Sequence, residues 1–131
     1  MDLFSRLANT TTEIGQCAED AALEFLLAKG MRLVARNYRC KVGEIDLVMQ
    51  HHGTLIFVEV RYRKQHQFGD GAESVDFRKQ QKIIRAAEFF LQQHRQYTQS
   101  PCRIDVISIS RHAKTSPSQS EIDWIPNAIQ A

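Results

Sequence analysis

Apolar positions along this chain follow two periods. In "TTTEIGQCAEDAALEFLLAKG" they fall at Ile14, Cys17, Ala18, Ala21, Ala22, Phe25 and Leu26, the i, i+3, i+4, i+7 spacing of one helix face. Thr10 with Glu13 fits a capping box at its start, and Gly30 is a natural stop at its end. "MRLVARNYRC" then reads as extended. "GEIDLVMQ" and "TLIFVEVRYR" are rich in β-branched and aromatic residues and bracket "HHG", the pattern of a hairpin. "KQHQFGDGAES" is polar, carries Gly69 and Gly71, and reads as a loop. The helical period returns from about Val75 to His94, with Ser74 as its cap and Ile83, Ile84, Ala87, Phe90 and Leu91 as its buried stripe. "CRIDVISIS" is a further strand, and "EIDWIPNAI" a short one that Pro126 stops. Residues 1–10 read as a loose arm and 111–120 as a mobile loop. The order is α-β-β-β-α-β plus one short element, without an internal repeat or linker. One α/β domain with a mixed central sheet flanked by helices is the expectation.

Composition refines this picture only locally. A chain of 131 residues is long enough to bury roughly two-thirds of the surface its unfolded form exposes. The net charge of +2 gives no global field that would draw nucleic acid. The cations are nevertheless clustered. Lys29, Arg32, Arg36, Arg39 and Lys41 form a run without an acid, and so do Arg78, Lys79, Lys82 and Arg85. Eleven of the seventeen cations are arginine, the side chain better shaped for bidentate phosphate contacts. Three widely spaced cysteines without a CxxC pattern argue against a disulfide framework or a zinc site. The first residues lack the basic and apolar regions of a signal peptide. No stretch approaches the ~18 apolar residues of a membrane span. The expected home is the cytoplasm, without a membrane partner.

The hairpin carries the candidate chemistry. Each of its strands holds a carboxylate at a position where a buried strand is normally apolar, Asp46 and Glu59, and Arg61 follows Glu59 on the same face. A two-residue turn at either His51-His52 or His52-Gly53 puts Asp46 on the face of Glu59. The second choice sets them directly opposite, and a one-residue slip would separate them. Like charges across a ladder are destabilising, more so away from water. Either a divalent cation offsets the repulsion, or Arg61 does so in an internal salt bridge. Gln80 lies on the apolar side of the second helix, and Glu19 borders the apolar stripe of the first. Each alone fits a structural role, Gln80 as a cap of a backbone group and Glu19 as a solvated acid. With Asp46 and Glu59 they would make a polar cluster drawn from four elements.

Asp46, then Glu59-Val60-Arg61, on consecutive strands of an αβββαβ order, resembles the PD-(D/E)XK (restriction-endonuclease-like) nuclease superfamily. "GEIDLV", "FVEVRYR", "FG" before "SVDFRKQQKI", and "RIDVISI" more closely resemble the uncharacterised YraN-type bacterial protein family within it. The resemblance runs from about Ile14 to Ile109. It implies a restriction-endonuclease-like fold and Mg²⁺ (or Mn²⁺) held by Asp46, Glu59, the Val60 carbonyl and, through a water, Glu19. It makes Asp46, Glu59, Arg61, Glu19 and Gln80 the candidate catalytic set. Arg61 stands where the superfamily usually has lysine; Lys64 or Lys79 could supply a lysine from elsewhere. Arginine is effectively never deprotonated and cannot act as a base, although it can stabilise phosphoryl charge. Arg36, Arg39, Lys41, Arg63, Lys64, Arg78, Lys79, Lys82 and Arg85 would hold phosphates, with DNA favoured over RNA. Two other readings stand beside a metal-dependent endonuclease. One is a catalytically inactive nucleic-acid-binding module on a nuclease fold. The other is a structural or interaction domain with an internal ion-pair network. A homodimer is left open.

Overall fold

The computed structural model describes residues 11–63, 75–110 and 121–130, with side chains from residue 15 onward. The first helix, α1, spans Thr11–Ala28. Its stripe is buried at Cys17, Ala18, Ala22 and Leu26. Gly30 ends it at φ +91, a conformation that suits glycine. There the Met31 N–H donates to the Leu26 carbonyl and the Gly30 N–H to that of Leu27, a Schellman closure. The capping box at Thr10 and Glu13 lies outside the described side chains.

Strands β1 (Arg32–Cys40), β2 (Gly43–His51) and β3 (Thr54–Arg63) follow as an antiparallel meander. Between β2 and β3 only His52 and Gly53 turn the chain, at φ +50 and +81. Positive φ at both central positions is the type I′ geometry that matches strand twist. The ladder pairs Leu47 with Val58 through His51 with Thr54, the register that would next oppose Asp46 and Glu59.

Helix α2 (Phe77–Gln93) carries the chain to β4 (Cys102–Ser110), which pairs parallel to β3. β5 (Glu121–Ile129) closes the far edge, so the sheet runs β1-β2-β3-β4-β5. This is the expected α/β architecture: an αβββαβ core with a mixed sheet and a helix on each face. Ile45, Val48, Phe57, Val106, Ile83 and Phe90 pack between the sheet and α2. Leu47, Met49, Ile56, Val58, Ile107 and Leu26 pack between the sheet and α1. β3 and β4 are therefore buried on both sides, as parallel neighbours in such sheets usually are.

Two boundaries depart from the sequence expectation. α2 starts at Phe77, two residues later than expected, because Asp76 is its cap: the Asp76 carboxylate accepts the Lys79 N–H at 2.8 Å. Ser74 lies outside the described residues, as do the glycine loop and the segments 1–10 and 111–120. Pro126 does not end the last strand, which runs nine residues through it. β5 is an edge strand with a register shift opposite Ile104 and Val106. An edge and a bulge are the places where a strand tolerates proline, which has no N–H to give. Beside it Asn127 adopts φ +53, and its N–H donates to Asp105 Oδ1 at 2.9 Å.

Candidate active site

Side-chain alternation along β2 breaks at Asp46. Leu47 and Met49 belong to the α1 side of the sheet and Val48 to the α2 side, yet Ile45 also belongs to the α2 side. The β2–β3 ladder stops at Leu47–Val58, and the Val60 N–H instead donates to Asp46 Oδ2 at 2.8 Å. A carboxylate takes the place of a strand carbonyl, and the two strands part around it. This lets Asp46 meet groups from both sides of the sheet: Glu59 beside it, and the charge of Glu19 on α1.

Glu59 keeps the regular phase of β3 and faces α2, with its side chain 7% exposed. Lys79 of α2 reaches it, Nζ to Oε2 at 3.5 Å. Burial, and then the charge of Glu59, pushes the Asp46 carboxyl up to about 7. Burial pushes Glu59 up as well, against the pull of Lys79. The pair therefore holds on to a proton more tightly than either acid would alone. This is the behaviour of two acids that cannot both ionise cheaply in one pocket.

Glu19 joins from α1. Burial and the Asp46 charge raise its pKa, and Arg36 opposes both. Its Oε1 lies 3.5 Å from Arg36 Nε, but neither atom makes a hydrogen bond. Arg36 spends its stronger contact on Asp20, at 2.5 Å. Glu19 thus keeps a buried acceptor oxygen with capacity to spare.

Of the expected catalytic residues, Asp46 and Glu59 are brought together, and Glu19 feels the charge of Asp46. Val60 joins them through its N–H. Arg61 acts on Glu59 only through its charge, the weakest influence on that group. Gln80 does not join: its amide nitrogen donates to the Val75 carbonyl at 2.8 Å, the capping role open to it from sequence. Among the described residues, no three His, Cys, Asp or Glu side chains converge tightly enough to form a metal cluster by themselves.

Of the expected phosphate contacts, Arg36 is committed to α1, and Arg39 pairs with Glu44 at 3.3 Å, both well exposed. Arg78, Lys82 and Arg85 are exposed on α2, and Lys82 lies beside the β1–β2 turn. Lys41 lies in the turn between β1 and β2, and Arg63 at the half-buried end of β3. Lys64 lies outside the described residues. Lys79 was expected mainly as a phosphate contact. Its signal was available: it lies four and seven residues before Ile83 and Ala86, on the face that α2 buries. Asp105 carries no such signal in the sequence. Fully buried, it accepts from Arg103, from Trp124 Nε1 at 3.0 Å and from the Asn127 N–H, pinning the β5 bulge.

The model of the Uncharacterised protein family UPF0102 matches residues 18–109 of this chain. A UPF0102 protein of Pseudomonas fluorescens (strain Pf0-1) is 47% identical over 117 residues, covering 89% of this chain and 92% of the relative. One of Stutzerimonas stutzeri (strain A1501) is 48% identical over 118 residues, covering 89% and 94%. Among solved structures there is a likeness to Pyrococcus furiosus SfsA in complex with Ca²⁺, at a TM-score of 0.37 and 14% identity. It covers 89% of this chain, which spans 64% of that one, just under two thirds of its length. No helix among the described residues is long and apolar enough to cross a membrane.

Proposed function

Because the chain belongs to the UPF0102 family and gathers Asp46, Glu59 and Lys79 where β2 and β3 part, we propose that it is a metal-dependent nuclease hydrolysing nucleic-acid phosphodiesters, DNA in preference to RNA. The observation that carries this reading is the buried pair Asp46–Glu59, two acids forced together on adjacent strands with one lysine as their close cation. A pair that only stabilised the fold would be matched more fully, since buried charges without partners are costly.

The donor set fits a hard divalent cation, Mg²⁺ or Mn²⁺, which takes oxygen ligands and commonly only one or two carboxylates. Asp46 and Glu59 would hold it, with the Val60 carbonyl and, through a water, the spare oxygen of Glu19. Bound there, such an ion supplies Lewis acidity to a phosphoryl oxygen and a water acidic enough to attack at neutral pH. The protein's own groups do the rest. Asp46 gives up its proton to become a ligand, and the Val60 N–H keeps its carboxylate aimed. Lys79 holds Glu59 toward its anionic form and places an ammonium beside the reacting centre. That is the place of the lysine that the strand lacks. Arg61 stays protonated and stabilises negative charge rather than moving protons. Arg78, Lys82 and Arg85 position the phosphate backbone without reading sequence.

The test is cleavage of branched, flapped and single-stranded DNA with Mg²⁺ or Mn²⁺, with Asp46→Ala as control. Metal-dependent cleavage abolished by the substitution is expected. Wild type indistinguishable from Asp46→Ala across the whole panel would overturn the reading.

A further inference from the structure

A cleft of about 450 Å³ opens beside the acid pair, between the β1–β2 turn and α2. Arg39, Lys41, Lys79 and Lys82 line it, with Glu44 as its acid. Its base is tight: a Cβ on Gly43 would stand 2.9 Å from the Lys82 carbonyl oxygen, so only glycine lets the turn approach α2 this closely. Two residues tie the cleft to the acid pair. Lys79 lines it and contacts Glu59, and Glu44 lines it while its charge bears on Asp46.

The charges in the cleft are unequally committed. Arg39 is paired with Glu44, and Lys79 with Glu59. Lys41 and Lys82 make no ion pair with a carboxylate among the described residues. Two exposed lysines without a carboxylate partner thus line one concave space that Lys79 and Glu44 connect to the acid pair. An internal phosphodiester brings one negative charge and continues in both directions. A terminal phosphomonoester brings nearly two at neutral pH, with three strong acceptor oxygens, and needs an opening on one side only. Charge favours the second.

We propose that this cleft binds the terminal phosphate of a nucleic-acid strand, so that the protein selects phosphorylated strand ends and places the bond to be cut relative to that end. This rests on the nuclease reading for its purpose but not for its test. Lys41 and Lys82 hold the phosphate, Lys79 bridges it to Glu59, and the pairing of Glu44 with Arg39 keeps that acid from repelling it.

The experiment is fluorescence-anisotropy binding of the full chain, in chelator and therefore without cleavage, to labelled single strands. The strands are identical except for a 5′-phosphate, a 3′-phosphate or hydroxyls at both ends. One phosphorylated end is expected to bind roughly tenfold tighter than the hydroxyl strand. K41A/K82A is expected to bring that ratio to about one and to flatten the salt dependence by about 1.4 in log–log slope, two single-strand contacts at ~0.7 each. Both lysines are exposed, so the double variant should fold, and circular dichroism checks that it has. Inorganic phosphate and a mononucleotide serve as competitors. If either displaces the phosphorylated strand at far lower concentration than an unlabelled strand does, the site serves free phosphate compounds and the strand-end proposal fails. Equal affinity for all three strands, or a preference that survives K41A/K82A, also overturns it. Loss of metal-dependent cleavage leaves this result untouched, so the two readings fail separately.

Discussion

At the residue scale, the protonation of Asp46 is the sharpest quantity. Its folded-state pKa near 7, set by burial and then by Glu59, lies well above its ordinary value of 3.8. The folded protein therefore holds this proton through a window where the unfolded chain has released it. Stability falls as pH rises from about 4 to about 7, by on the order of 2–4 kcal/mol, and is lowest above the folded pKa. Asp46→Asn keeps an acceptor for the Val60 N–H and gains an amide that donates toward Glu59. Metal-free thermal melts should show the wild type softening over this window and the variant nearly flat, with the variant more stable at pH 8. A variant less stable than wild type at pH 8 would instead support an ion-pair network. Lys79 and Arg61 divide along similar lines. Lys79→Met removes the ammonium 3.5 Å from Glu59 and should lower the single-turnover cleavage rate by about 10²-fold. Arg61→Met removes only a more distant charge and should cost less. The reverse order would return the lysine's role to the strand.

At the element scale, α2 is both the clamp of the core and a carrier of the site. Phe90 is 1% exposed, stacks on His94 at 4.0 Å and meets Tyr38 and Phe57 edge-on at 5.0 and 5.7 Å. Phe90→Ala should cost about 3–5 kcal/mol by denaturant unfolding, since the cavity lies between a helix and a sheet that cannot collapse. Losing α2's seat also removes Lys79 from Glu59, so cleavage should fall before the protein unfolds. β5 shows why an element can be misjudged from sequence. Proline normally argues against a strand, but here it sits at an edge bulge whose irregular backbone is bonded to Asp105. That carboxylate read as one more strand residue in "CRIDVISIS". Arg103 is its neighbour on the same strand face, but nothing local marks it as the anchor for Trp124 and Asn127, which come from across the ladder.

At the scale of the whole molecule, charge is local rather than global. A net +2 steers nothing by itself, whereas Lys41, Lys79 and Lys82 around one cleft can concentrate phosphate there. On the proposed reading the cleft would hold the strand and the acid pair would cut it. On the same reading, linkage would tie the acid pair to a bound cation. With the Asp46 carboxyl pushed up to about 7, binding of Mn²⁺ or Mg²⁺ there should release up to about one proton per site and tighten as pH rises. Calorimetric titrations in two buffers of different ionisation enthalpy read that proton directly. Binding with no proton release would place the ion away from Asp46.

The sequence by itself determined the order of elements, the faces of both helices and the narrow choice of hairpin registers. Those are consequences of local period and turn chemistry: a glycine at the second turn position and alternating apolar strands leave few alternatives. Tertiary structure alone decided which cation serves the acids. Arg61 neighbours Glu59 in sequence and Lys79 stands twenty residues away. The parallel crossover lays α2 across that face of the sheet, so the lysine's ammonium arrives at Glu59. It also decided the break at Asp46, where a side chain replaces a ladder bond, and the uncommitted charges of the cleft. Each of these depends on groups brought together from separate elements, and no periodicity along the chain encodes the meeting.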